Sequence, residues 1–352
     1  MSKLLKFFLI ILFISFSYSA FPQTAKEKAE AKYREGIKLV DHGKFDEGIR
    51  LYQEALKLDP DNILYLYEIG YTYYAEGLYE KAAENFEELT DRKDTFDQVY
   101  TMLGNSYDIL GKSEKAMKTY DEGLKKFPKS GALYLEKGNV FNARKKYEEA
   151  LKLYEKGIQV EPAYPSNYYW ASVFYCSSDQ KVFGLIYGEI FMNLEPNTKR
   201  TETISKLLFD TYDKGISIKD TNNYSISFYS SLDDKTDFGS MYEALFLLST
   251  IGEKRIQLNS LDRIRTKFLT MYFESDRSIK YPNVLFDYQK KVMDAGHLET
   301  YNKWIVSKGM SDDFDEWKAI NKDKWQAFLI WIVQNPLKLD ANHKFWSGQY
   351  EK

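Results

Sequence analysis

Four glycines constrain this 352-residue chain more than any other feature: Gly36, Gly70, Gly104 and Gly138 recur at a fixed spacing of 34 residues. Twelve residues after each stands a small residue, Gly48, Ala82, Ala116 and Ala150, and four further on an aromatic, Tyr52, Phe86, Tyr120 and Tyr154. Large apolar residues, Leu39, Tyr73, Tyr107 and Phe141, lie three past each glycine. Pro60, Pro128 and Pro162 close the first, third and fourth periods, with Asp94 standing in the second. Columns held in phase over four periods mean one structural unit repeated. Within a unit, apolar residues recur at helical spacing twice across a polar turn, as over 29–42 and 45–58, which predicts a helical hairpin. Two helices approach to about 8–10 Å only where the facing side chains are small. That requirement accounts for the glycine on the first helix and the alanine on the second. The aromatics fill the wedge between one hairpin and the next, and the proline stops the second helix.

The register continues in a weaker fifth period, with Ser172 in the glycine column, Tyr175, Gly184 and a terminal Pro196; Gly188 replaces the second aromatic. These columns resemble the tetratricopeptide repeat (TPR) over 29–198, in units 29–62, 63–96, 97–130, 131–164 and a degenerate 165–198. The resemblance implies an all-α fold, a right-handed superhelix whose first helices line a concave groove, and a protein that binds peptide or protein segments without catalysis. Carried over residue by residue, the groove positions are Tyr33, Ile37 and Val40, then Tyr67, Tyr71 and Tyr74, then Thr101, Asn105 and Asp108. The fourth unit contributes Leu135, Asn139 and Asn142, and the fifth Tyr169, Val173 and Cys176. The expected partner-binding residues among these are Tyr33, Tyr67, Tyr71, Tyr74, Asn105, Asp108, Asn139 and Asn142. Tyrosine offers flat apolar area with a hydroxyl, a mixture enriched at binding hot spots, and asparagine amides suit an extended backbone. Thr101, Leu135, Tyr169 and Val173 stand where some TPR domains place a base for a terminal carboxylate, which argues against an acidic-tail ligand.

Residues 1–19 read as a secretory signal peptide: Lys3 and Lys6, then an apolar run from Phe7 to Phe16, then Ser17-Tyr18-Ser19, with cleavage after Ser19 or Ala20. The run is about half of the roughly 20 apolar residues a spanning helix needs, so the expected mature protein has no stable membrane span. An uncleaved anchor is the alternative. The expected location is a bacterial periplasm or cell envelope, or the medium. With 44% hydrophobic residues the chain is not disordered, and Cys176, its one cysteine, excludes an internal disulfide. A formal charge of −3, which becomes −5 without Lys3 and Lys6, gives no basic field to hold nucleic acid.

Residues 199–352 read as a further helical region without a family. Ile204, Leu207, Leu208 and Tyr212 mark one helix after Pro196, where the register stops. A polar loop near 216–240 hides a short strand at Ile226–Tyr229. Helices are predicted over 241–250, 260–273 with Ser260 as N-cap, 283–295, from Leu298 to an end at Gly309, 312–319 behind Ser311, and 322–334. Five of the six tryptophans fall in the last 49 residues. They read as core rather than as a partner surface, and the apolar stretch Phe328–Val333 predicts a helix buried on several faces.

Chemical motifs are weak throughout. Gly111-Lys112-Ser113 lacks the earlier glycine of a phosphate loop and sits at a predicted helix–helix turn. His297-Leu298-Glu299 has no following cysteine pair, and His42, His297 and His343 share no metal spacing. No Gly-x-Ser-x-Gly elbow occurs. Asp312, Asp313, Asp315 and Glu316 suit the first turn of a helix. Asn223-Tyr224-Ser225 is a formal glycosylation sequon of a kind that arises often by accident. The expectation is an exported adaptor, not an enzyme, without cofactor or metal. The alternatives are a structural subunit of an envelope complex and a helical enzyme with its site in 199–352. The oligomeric state is not legible.

Overall fold

The computed structural model describes residues 24–220, 223–230 and 237–350; the expected signal peptide, 1–19, lies outside them. Two compact units divide between Gly111 and Lys112. The first holds α1 (Ala25–Asp41), α2 (Phe45–Leu58), α3 (Ile63–Glu76), α4 (Tyr79–Thr90) and α5 (Asp97–Ile109). The second begins with α6 (Ser113–Lys126), α7 (Gly131–Ala143), α8 (Tyr147–Val160), α9 (Pro165–Cys176), α10 (Lys181–Leu194) and α11 (Lys199–Gly215). Helices α2, α4, α6, α8 and α10 start 34 residues apart, and so do α3, α5, α7, α9 and α11.

The columns have their expected steric cause, with one refinement. A Cβ on Gly36 would lie 2.5 Å from the Tyr52 ring, one on Gly70 2.9 Å from Phe86, and one on Gly138 2.6 Å from Tyr154. Each glycine thus admits the aromatic of its own hairpin. The same ring also reaches forward: Tyr52 packs with Ile69, and Tyr154 stacks on Trp170 at 6.1 Å. Ala82, Ala116 and Ala150 are fully buried. A further column escaped the sequence reading. Gly43, Gly77 and Gly111 end first helices with positive φ, and Lys145 adopts φ 60° at the same place in the fourth repeat.

In the fifth hairpin both positions are small, Ser172 in the glycine column and Gly188 in the aromatic one. Ser172 donates to the Gly184 carbonyl at 2.8 Å, and a Cβ on Gly188 would meet the Ser172 hydroxyl, Leu208 and Ile204. The lost aromatic is replaced by α11, which starts in phase with the repeats, so the register runs one helix beyond Pro196. Its glycine-column residue is the exposed Lys206. No second helix follows to press a ring there, so the small residue is not required, and its absence concealed the phase.

The chain then forms an antiparallel hairpin, β1 (Ile216–Asp220) with β2 (Asn223–Ile226), pairing Ile216 with Ile226. The predicted strand at Ile226–Tyr229 therefore lies earlier and has a partner. Among the described residues seven helices follow: α12 (Phe238–Thr250), α13 (Leu258–Phe273), α14 (Arg277–Lys280), α15 (Val284–Asp294), α16 (Leu298–Ile305), α17 (Ser311–Ile320) and α18 (Lys322–Gln334). Gln257, not Ser260, is the N-cap of α13; Ser260 sits at the third helical residue and accepts the Gln257 N–H at 2.7 Å. Met310 precedes α17, which takes Ser311 as its first residue.

One core joins α9 and α10 to the C-terminal helices and to Phe345, which is fully buried. Trp304, Trp317, Trp325, Trp331 and Trp346 all pack against it, half-buried. Helix α18 departs from expectation: Phe328 is its one buried residue, while Ile330 and Val333 are 59% and 79% exposed. Its apolar stretch is packed on one side only.

Candidate functional site

The expected groove residues of the first unit lie on α1, α3 and α5, and their neighbours separate them into two kinds. Tyr33, on α1, meets Tyr65 of α3 with ring centroids 5.3 Å apart, and its hydroxyl donates to Glu68 at 3.4 Å. Tyr67 packs against Phe86 at 5.6 Å and Phe96 at 5.1 Å. Both rings seal crevices between helices. Tyr71 lies parallel to Tyr67 at 6.4 Å and 18° and is 41% exposed; Leu64 on the same helix is 45% exposed. Tyr74 turns edge-on to Tyr79 at the α3–α4 turn. Asn105 and Asp108 are half-buried on α5, where Thr101 is buried with its hydroxyl on the Asp97 carbonyl.

Burial and acids set the electrostatics of this face. Burial and the neighbouring Glu68 push the Tyr33 hydroxyl up to about 12. Burial also raises Tyr67 and Tyr52, and it raises the Glu68 carboxyl, with Asp41 adding to that shift. Glu68 was not singled out by sequence reasoning. A signal existed, for it is the lone charge between Asp61 and Glu76.

In the second unit the groove positions are mostly occupied by the protein itself. Asn139 accepts from the Tyr154 hydroxyl at 3.0 Å and donates to Glu136 at 3.0 Å, so its amide holds the fourth hairpin together. Asn142 is half-buried and acts on the same tyrosine. Leu135 is buried with Ala150 and Tyr154. In the fifth hairpin Arg200 of α11 stacks over Tyr169 at 5.4 Å and bonds Ser166, covering that face. Cys176 is buried beside Gly184, and burial pushes its thiol up to about 11. Leu135, Tyr169 and Cys176 are therefore not groove positions. A sixth helix in phase, invisible in the glycine column, is what closes the face there.

The C-terminal region holds a buried polar cluster of another kind. Arg265 pairs with Glu189 at 2.8 Å and donates to Tyr212 and Asn302, while Gln289 also reaches Glu189. Burial alone would lower the Arg265 pKa, but the Glu189 carboxylate holds it well above its ordinary value. Glu155 likewise gathers Tyr175, Tyr187 and Ser347, tying the C-terminal segment to α8, α9 and α10. These closed networks fasten helices to one another. Among the described residues no group of three or more His, Cys, Asp or Glu is placed to hold a metal, and no helix is long and apolar enough to cross a membrane.

Hairpins repeating at 34 residues, with small residues under aromatics, define a helical-repeat binding protein. Tetratricopeptide repeat models match residues 36–77 and 138–173, and 64–95 and 97–126. The chain is a tetratricopeptide-repeat protein, and so a scaffold for protein–protein interaction. No curated protein matches it significantly. Among solved structures, a thermophilic TPR protein of Thermus thermophilus is 21% identical, with TM-score 0.44, over 51% of this chain and 98% of its own. MamA is 24% identical, with TM-score 0.36, over 46% and 94%. PilF of Pseudomonas aeruginosa is 17% identical, with TM-score 0.39, over 50% and 80%.

Proposed function

We propose that the chain is an exported adaptor that captures a peptide or protein segment non-covalently on the first helices of its N-terminal repeats. The observation that carries this reading is the exposed face of α3, where Leu64 and Tyr71 are large apolar side chains 45% and 41% exposed. Exposed aromatics beside packed ones are the arrangement of a hot spot with a rigid backing. Tyr33 and Tyr67 belong to the backing, and Tyr71 is the contact. The first-unit residues Tyr74, Asn105 and Asp108 extend the same face, while Asn139 and Asn142 continue the positions into the fourth repeat with much of their hydrogen bonding already used.

Export rests on residues 1–19, with their basic head, short apolar run and small-residue exit. N-terminal sequencing of the protein recovered from an envelope fraction is expected to start after Ser19 or Ala20; an intact Met1 would remove that part of the reading. Affinity capture from the same fraction tests the face. A stoichiometric partner is expected with the wild-type chain and not with Tyr71→Ala, at an unchanged melting temperature. Tyr67→Ala is expected to lower the melting temperature, because its ring packs on Phe86 and Phe96. A partner held equally well by Tyr71→Ala would place the binding surface elsewhere.

A further inference from the structure

Glu68 is oddly placed for a residue with a purely structural role. It lies mid-helix, beyond the first turn of α3 where an acid would offset the helix dipole. It is half-buried, and its carboxylate accepts one long bond from Tyr33. Some other withdrawn acids have cations against them, Glu189 with Arg265, Glu195 with Arg200 and Glu253 with Arg263. Others are held by several neutral donors, Glu155 by the hydroxyls of Tyr175, Tyr187 and Ser347 and Glu243 by the Phe228 and Tyr229 N–H groups, whereas Glu68 has the one bond. Among the described residues no lysine or arginine forms an ion pair with Glu68, and the charge acting on it is another acid, Asp41. The leading charges on Tyr33, Tyr52 and Tyr67 are also acidic: Glu68, Glu30, Asp41 and Asp97. A partly desolvated carboxylate with no counter-charge weakens the fold that holds it. A cation delivered from outside would reverse that cost.

The second observation is the aromatic surface beside it. Tyr71 is three residues on from Glu68, and residues so spaced are neighbours on a helix face. Its ring is backed on one side by the parallel Tyr67 ring and is 41% exposed. A cation there gains both a charge-assisted hydrogen bond and the ring face. Resting on the reading of this face as the binding surface, we propose that its occupant is a basic segment of a partner protein, with a lysine or arginine seated between Glu68 and Tyr71.

A random dodecapeptide phage library panned on the full chain, with counter-selection on Tyr71→Ala, tests this. The expected outcome is a set of Tyr71-dependent peptides enriched in lysine and arginine, binding about tenfold more weakly to Glu68→Gln, the size of one hydrogen bond to a charged group. Their binding to the wild-type chain is also expected to weaken as salt rises, since salt screens the long-range attraction of a basic peptide to this acidic face; this arm needs no variant to fold. Tyr71-dependent peptides without basic enrichment, or indifferent to Glu68→Gln and to salt, would overturn the charge assignment and leave the binding face standing. A selection that yields no Tyr71-dependent peptide would overturn the face itself.

Discussion

Lys145 occupies a position that three other repeats give to glycine. Its φ of 60° matches the turn at Gly43, Gly77 and Gly111, and a left-handed conformation costs an ordinary residue about 1–2 kcal/mol. Lys145→Gly is therefore expected to stabilise the second unit by about 1 kcal/mol in urea unfolding; a destabilised variant would mean the turn draws support from the lysine side chain. Glu68 gives a second test at this scale. Burial raises its carboxyl, so the folded state binds the proton more tightly than the unfolded one, and stability falls as pH rises from the unfolded value through the folded one. Glu68→Gln is accordingly expected to melt higher than wild type near neutral pH. The gap should shrink as pH falls towards about 4, near the unfolded glutamate pKa. A gap that widens on acidification would show that Glu68 is stabilised as an anion within the fold. The small-residue columns were legible because a Cβ at Gly36 or Gly138 would strike an aromatic ring a fixed distance along the chain. Which tyrosine faces solvent was not legible. Tyr67, Tyr71 and Tyr74 share a residue type and a helix face, and they differ through Phe86, Phe96 and Tyr79, which reach them from other elements.

At the scale of elements, helix bounds are local in both halves, since α12, α13, α15, α17 and α18 lie close to the predicted 241–250, 260–273, 283–295, 312–319 and 322–334. The packing of the C-terminal helices is not local. The start of α8 follows from turn, charge and apolar spacing within one period. The position of α11 follows instead from a vacancy at Gly188 that its Ile204 and Leu208 fill. The β1–β2 hairpin and the one-sided packing of α18 are likewise set by distant partners, Phe228 against Tyr212 and Phe246 in the first case, and Trp304 and Tyr301 against Phe328 in the second. The Arg265–Glu189 pair links α13 to α10 across the shared core, where its two side chains are almost wholly buried. Arg265→Met would leave Glu189 buried without its counter-charge and is expected to cost about 3–5 kcal/mol. Converting both to methionine is expected to restore much of that loss. Equal losses from the single and double changes, read by urea unfolding, would show that packing and not the uncompensated charge sets the cost.

For the whole molecule, the sequence boundary at residue 198 separates repeats from non-repeats, whereas the compact units divide between Gly111 and Lys112. The difference has a physical cause: the last hairpin contributes α9 and α10 to the same core as Phe238, Phe286 and Phe345, so in the second unit repeat and non-repeat form one body. A core assembled from residues so far apart in the chain leaves no periodic trace. The proposed binding surface is the face of the N-terminal first helices and not this C-terminal body. Amide hydrogen exchange of the full chain, alone and with its captured partner, separates these two placements. Slowed exchange is expected over Ile63–Glu76, centred on Tyr71, with little change in α17 and α18. Protection confined to 199–352, with Ile63–Glu76 unaltered, would contradict the proposed surface.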